Sequence, residues 1–137
     1  MREIKTLKNT EKLSYEELAK FQWNSLKRIL EFSFNNIPYY KQKFYEHNLT
    51  PNMIKTPEDF LNFPTLNKSD LNKYNKLLIA NGAKYKFELK LTSGSTGKPV
   101  EIFKDRRTQA RARGVMFRNY SWYGIDIADR QARFTGS

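Results

Sequence analysis

Apolar side chains recur along this chain with two different periods, and the change from one to the other divides it. Leu18, Phe21, Leu26, Ile29 and Leu30 stand at near-helical spacing, which predicts an amphipathic helix. Phe32 and Phe34 add a second apolar side. The helix is expected to open at Ser14. There Ser14 and Glu17 spell an S-x-x-E capping box, and Leu13 and Leu18 occupy the flanking apolar staple positions. It is expected to close near Asn35 and Asn36, because Pro38 disfavours helical angles at Ile37. Residues 1–13 are polar and unpatterned, and are expected to be a loose start. Pro38 suits the first position of a second helix, with Tyr40 and Phe44 one turn apart and Asn48 as its stop.

Two further starts follow. Thr56-Pro57-Glu58-Asp59 places a cap, an N1 proline and two acids in order. It predicts a short helix with Phe60, Leu61 and Phe63 on its buried side, ended by Pro64. Asn67-Lys68-Ser69-Asp70 repeats the arrangement. Leu71, Tyr74, Leu77 and Leu78 then carry a helix to about Ala80, with Gly82 just past its end.

The period then becomes two. Phe87, Leu89 and Leu91 alternate with Glu88 and Lys90, which predicts a half-buried strand. Val100 to Phe103 predicts a second strand. Asp105 can cap a helix running to about Tyr123, with Gly124 as its stop. Ala110, Gly114, Phe117 and Ser121 share one face of it, and the small residues would let it lie close to a sheet. Residues 131–135 read as another strand. The expected fold is therefore α/β and α-rich. A loose 1–13 and a helical leader over 14–85 precede the beginning of a nucleotide-binding α/β subdomain over 86–137, which forms an incomplete domain.

Composition narrows the chemistry. Of 137 residues, 39% are hydrophobic and 15% aromatic, which is not a disordered composition. With no cysteine, there is neither a disulfide scaffold nor a thiolate nucleophile, and a lone histidine, His47, cannot build a zinc site. No apolar run approaches a membrane span and no signal-peptide core is present, so a cytoplasmic protein with no membrane partner is the default expectation. The net charge of +11 raises nucleic acid as a partner. The dense basic run holds Lys104, Arg106, Arg107, Arg111, Arg113 and Arg118, of which Arg107, Arg111 and Arg118 fall on one side of a helix. A solvated face accounts for them, and an anion- or RNA-binding face is the alternative. Nothing matches a base-reading motif. Paired Tyr39 and Tyr40 can stack on a base, but two amphipathic aromatics closing a helical layer is the simpler reading.

The candidate chemistry lies between the two expected strands, where Leu91 to Val100 reads L-T-S-G-S-T-G-K-P-V. Gly94 and Gly97 permit backbone angles closed to other residues. Thr92, Ser93, Ser95 and Thr96 supply hydroxyls, and Lys98 supplies a flexible positive charge. Successive free N–H groups in such a turn can form an anion-binding nest. The Walker A pattern fails, since Gly94 and Gly97 are too close and Pro99 follows Lys98; the Rossmann fingerprint fails as well. The same composition also describes an unliganded connection between strands.

The run Thr92 to Pro99, T-S-G-S-T-G-K-P, resembles the phosphate-binding loop of the adenylate-forming superfamily. Pro38-Tyr39-Tyr40, and Pro64 to Leu71 read as P-x-L-x-K-x-D-L, resemble elements of phenylacetate–coenzyme A ligases and capsule-biosynthesis adenylate-forming proteins in the same order. The G-I-D-x-x-D-R run from Gly124 to Arg130 resembles that family's continuation.

The resemblance implies that Thr92, Ser93, Gly94, Ser95, Thr96, Gly97 and Lys98 contact the β- and γ-phosphates of ATP. It implies activation of a small-molecule carboxylate as an acyl-adenylate, with ATP and Mg²⁺ as cofactors and coenzyme A or another group as acceptor. Residues for adenine, ribose and catalysis lie further along related chains. The chain is thus expected to be the N-terminal part of a longer ligase, inactive alone. A nucleic-acid-binding module and a non-catalytic remnant are the rival readings. Neither the acyl substrate nor the oligomeric state follows from the sequence.

Overall fold

The computed structural model describes residues 2–82, 87–92, 99–130 and 132. It is helix-rich, with one small antiparallel sheet among the described residues. Helix α1 spans Arg2–Thr10, α2 Tyr15–Asn36, α3 Pro38–Glu46 and α4 Lys68–Lys73. Strands β1, Glu88–Leu91, and β2, Glu101–Lys104, precede helix α5, Arg106–Ser121. These elements pack as two compact units, residues 14–105 and residues 1–13 with 106–137.

Local signals account for the helices of the larger unit. The Ser14 hydroxyl accepts the Glu17 N–H, and the Glu17 carboxylate accepts the Ser14 N–H, so both ends of the expected capping box are made. Helix α2 stops at Asn36, and Pro38 stands at the first position of α3. Asn48, at φ 51, turns the chain away. Asn67 and Asp70 form a second reciprocal cap at the start of α4.

The core of this unit is aromatic. Leu30, Phe44 and Ile54 are buried, with Trp23, Leu26, Phe34, Leu49, Phe60 and Phe63 packed around them. Phe44 is 0% exposed. Its ring meets Phe34 edge-on at 5.3 Å and Phe63 at 4.6 Å, arrangements favoured by the ring quadrupole.

Several expectations are corrected. Residues 2–10 are helical rather than loose, and α1 packs on α5. The start at Thr56 makes only a 3₁₀ turn, Asp59–Asn62, and Leu61 points out at 82% exposure while Phe60 and Phe63 turn inward. Helix α4 ends at Lys73, not Ala80, and hydrogen-bonded turns follow. The Leu77 carbonyl there accepts the Tyr39 N–H at 3.0 Å. That donor is one of the unpaired N–H groups at the start of α3, so the carbonyl serves another element instead of its own helix.

The expected half-buried strand is also corrected: all four β1 residues are exposed. A two-stranded ribbon has no second layer of its own to cover an apolar face. Within its own unit helix α5 packs on α1, and Gly114 is its buried residue. The expected strand over 131–135 lies outside the described residues apart from Ala132.

Candidate functional site

β1 and β2 pair antiparallel in a fixed register. Glu88 stands opposite Lys104, Leu89 opposite Phe103, Lys90 opposite Ile102 and Leu91 opposite Glu101. Glu88 with Lys104 sets opposite charges across the ladder, a favourable pair. Phe87 meets Phe103 edge-on at 6.3 Å. The hairpin is tied to the helical part of its unit by the Asn75 side-chain amide, which donates to the Glu101 carboxylate at 2.7 Å.

Beyond the ladder, one more pair closes the neck of the loop. The Thr92 N–H donates to the Val100 carbonyl at 3.1 Å. The Val100 N–H donates to the Thr92 hydroxyl oxygen at 2.9 Å. Val100 is buried at 4% exposure, whereas Thr92 is exposed. A buried N–H without a partner would be costly, so the Thr92 oxygen satisfies a real requirement. A hydroxyl has one donor and two acceptor sites, and among the described hydrogen bonds the Thr92 hydroxyl serves only as an acceptor.

Of the seven residues assigned from the sequence, Thr92 is therefore placed at the neck. Ser93, Gly94, Ser95, Thr96, Gly97 and Lys98 lie outside the described residues. Sequence reading missed Val100 as the partner of Thr92. No local pattern announces that pair, because it follows from the hairpin register.

The other motifs are structural. Tyr39 is buried, tilted against Tyr74 at 5.3 Å and edge-on to Tyr40 at 5.4 Å. Tyr40 in turn lies 6.4 Å from Phe63. The P-Y-Y element and the stretch around Pro64 to Leu71 thus meet through aromatic packing. Burial raises the phenol pKa of both tyrosines, and the charge of Asp70 adds to the rise at Tyr39.

In the smaller unit, Arg118 leaves the solvated arginine row. Its Nε lies 3.6 Å from the Glu11 carboxylate, and its guanidinium lies 5.2 Å from the Trp122 ring centroid. The Trp122 indole N–H donates to the same carboxylate at 3.0 Å. Arg106, Arg107, Arg111 and Arg113 are exposed. Among the described residues, no group of three His, Asp or Glu side chains could hold a metal ion, and no helix is long and apolar enough to cross a membrane.

Comparison with known proteins reaches the same family as the motifs. The phenylacetate–coenzyme A ligase of Pseudomonas putida is 31% identical over 93 residues, 67% of this chain and 21% of that protein. Its counterpart from Aromatoleum evansii is 30% identical over 97 residues, 70% of this chain and 22% of that protein. The Escherichia coli K12 enzyme of the same name is 30% identical over 93 residues, with coverage of 67% and 21%. This chain is related to the phenylacetate–coenzyme A ligases. The ligase-like chain spans about a fifth of the length of these curated relatives. No protein-family model matches it.

Proposed function

We propose that this chain carries the nucleotide-phosphate grip of an AMP-forming carboxylate ligase. The observation that supports it most is the coincidence of two things. The relatives carry the name phenylacetate–coenzyme A ligase, and T-S-G-S-T-G-K-P begins at the pinned neck of a hairpin. Holding Thr92 to Val100 fixes both ends of the intervening seven residues, which reduces the freedom that a gripping loop would lose on binding.

The reaction is attack of a carboxylate oxygen on the α-phosphorus of ATP. A bond from oxygen to that phosphorus forms, the bond to the departing pyrophosphate breaks, and an acyl-adenylate remains. A thiol such as that of coenzyme A then displaces AMP. The donor set from Thr92 to Lys98 consists of hydroxyls, backbone N–H groups and one ammonium, which suits polyphosphate oxygens. Its part is to hold the charge that collects on the leaving pyrophosphate, by donors in place before the reaction. Mg²⁺, when bound, would neutralise phosphate charge. The described residues offer no cluster of ligands for it.

The test is ATP–pyrophosphate exchange with phenylacetate and other carboxylates, in the longer ligase of which this chain is proposed to be part. Lys98→Ala should lower exchange about a hundredfold, the usual scale for losing one preorganised donor. Unchanged exchange in a normally folded Lys98→Ala protein would sink the assignment.

A further inference from the structure

Between α2, α3 and the segment around residues 60–66 lies an open cleft of about 540 Å³, all within the larger unit. Leu26, Leu30 and Ser33 enter it from α2 at a spacing of four and three, so one stripe of the helix forms one wall. Phe44, Phe60 and Phe63 add aromatic rings to the lining. The Phe60 and Phe63 rings are nearly parallel, with 8° between their planes. The volume falls inside the range of small-molecule sites, which combine apolar walls with a few polar groups.

We propose that this cleft binds a small, flat, uncharged aromatic molecule. The charge of the occupant follows from the lining, which among the described residues contains no Lys, Arg, Asp, Glu or His. An ionised ligand would lose hydration with no opposite charge to replace it. The shape follows from the aromatic walls, since ring faces and edges pack best against further rings. Among the described lining side chains, the hydroxyls of Ser33, Tyr40 and Thr65 supply polar recognition. Burial raises the Tyr40 phenol pKa, so it meets the ligand as a hydroxyl. One hydroxyl or carbonyl on the ligand would match this set. The occupant is thus different in kind from the carboxylate and nucleotide of the proposed reaction, and the inference does not rest on that reading.

The test titrates the 137-residue chain with 2-naphthol and with 2-naphthoate, followed by methyl NMR. Naphthol should give saturable shifts and intermolecular contacts at the Leu26 and Leu66 methyls. Naphthoate should bind at least about tenfold more weakly, because its charge has no partner there. Ile29, at the rim and 61% exposed, can be enlarged without disturbing the core. Ile29→Trp should cover the mouth and weaken naphthol at least tenfold while the circular dichroism stays unchanged. Equal binding of naphthoate overturns the proposal. So do naphthol shifts spread evenly over Leu61, Leu89 and Leu91. Should Ile29→Trp fail to fold, contacts to Leu26 and Leu66 in the unaltered chain decide it, and their absence counts against the cleft.

Discussion

The helical part of residues 14–105 and its hairpin are held by different means. In the helical part, backbone groups at element ends find side-chain partners: Ser14 with Glu17, Asn67 with Asp70, and the Asp59 carboxylate with the N–H groups of Lys55 and Thr56. Its aromatic rings converge on Phe44, which water does not reach. The hairpin has exposed apolar residues, with Leu91 at 64%. Its described anchors are the ladder, the Asn75–Glu101 hydrogen bond and the Thr92–Val100 pair. Few buried apolar contacts mark the less stable end of a structure, so the ribbon is expected to open more readily than the aromatic base.

The largest effect should come from the base. Phe44→Ala removes a fully buried ring from the centre of the cluster. A change of this kind costs on the order of 3–5 kcal/mol, measured as a lower denaturant midpoint. Amide exchange should show α2 and α3 losing protection while Glu101 to Lys104 change little. Equal losses in both would mean that base and hairpin open as one unit.

Where the sequence could be read, its signals were local. The capping box at Ser14, the stop before Pro38 and the cap at Asn67 each depend on residues within four positions. What escaped reading depends on distant partners. Helix α1 packs on α5, and its neighbour Glu11 is held by Trp122 and Arg118, more than a hundred positions away. The apolar spacing of Leu71, Tyr74, Leu77 and Leu78 suited a longer helix. The Leu77 carbonyl is instead committed to α3. Alternation at Leu89 and Leu91 correctly announced a strand, but periodicity cannot say whether a second layer exists to cover it. At the candidate site, composition singled out Thr92 as a hydroxyl donor. Only the register shows that its oxygen accepts the Val100 N–H.

That pairing gives the next test, directed at the hairpin alone. Thr92→Val keeps the shape and removes the oxygen, leaving the buried Val100 N–H without its acceptor. The penalty for such a group is about 1–3 kcal/mol. It should appear as faster exchange of the Val100 amide, with α2 and α3 unaffected. Thr92→Ser retains the oxygen and should restore most of the protection. If the Val and Ser variants exchange alike at Val100, the neck is held by the strands and the hydroxyl is dispensable there.

The smallest effect separates the two regions by pH. The N–H groups of Thr56 and Lys55 bond the Asp59 carboxylate and hold its pKa below the usual carboxylate range. A folded pKa below the unfolded one means that the unfolded segment takes up the proton first. The contribution is therefore present at neutral pH, above the unfolded pKa, and is lost as pH falls through the folded value. Because the carboxylate is exposed to water, the effect should be confined to the turn leading into Asp59–Asn62. Protection factors of the Lys55 and Thr56 amides should fall on acidification, while that of Leu89, with no such carboxylate contact among the described bonds, should not follow. Asp59→Ala should remove the pH dependence and leave both amides weakly protected throughout. Protection at Lys55 and Thr56 that stays level from neutral to acid pH would show that the backbone of the turn holds itself, and that the side-chain caps of the base matter less than its rings.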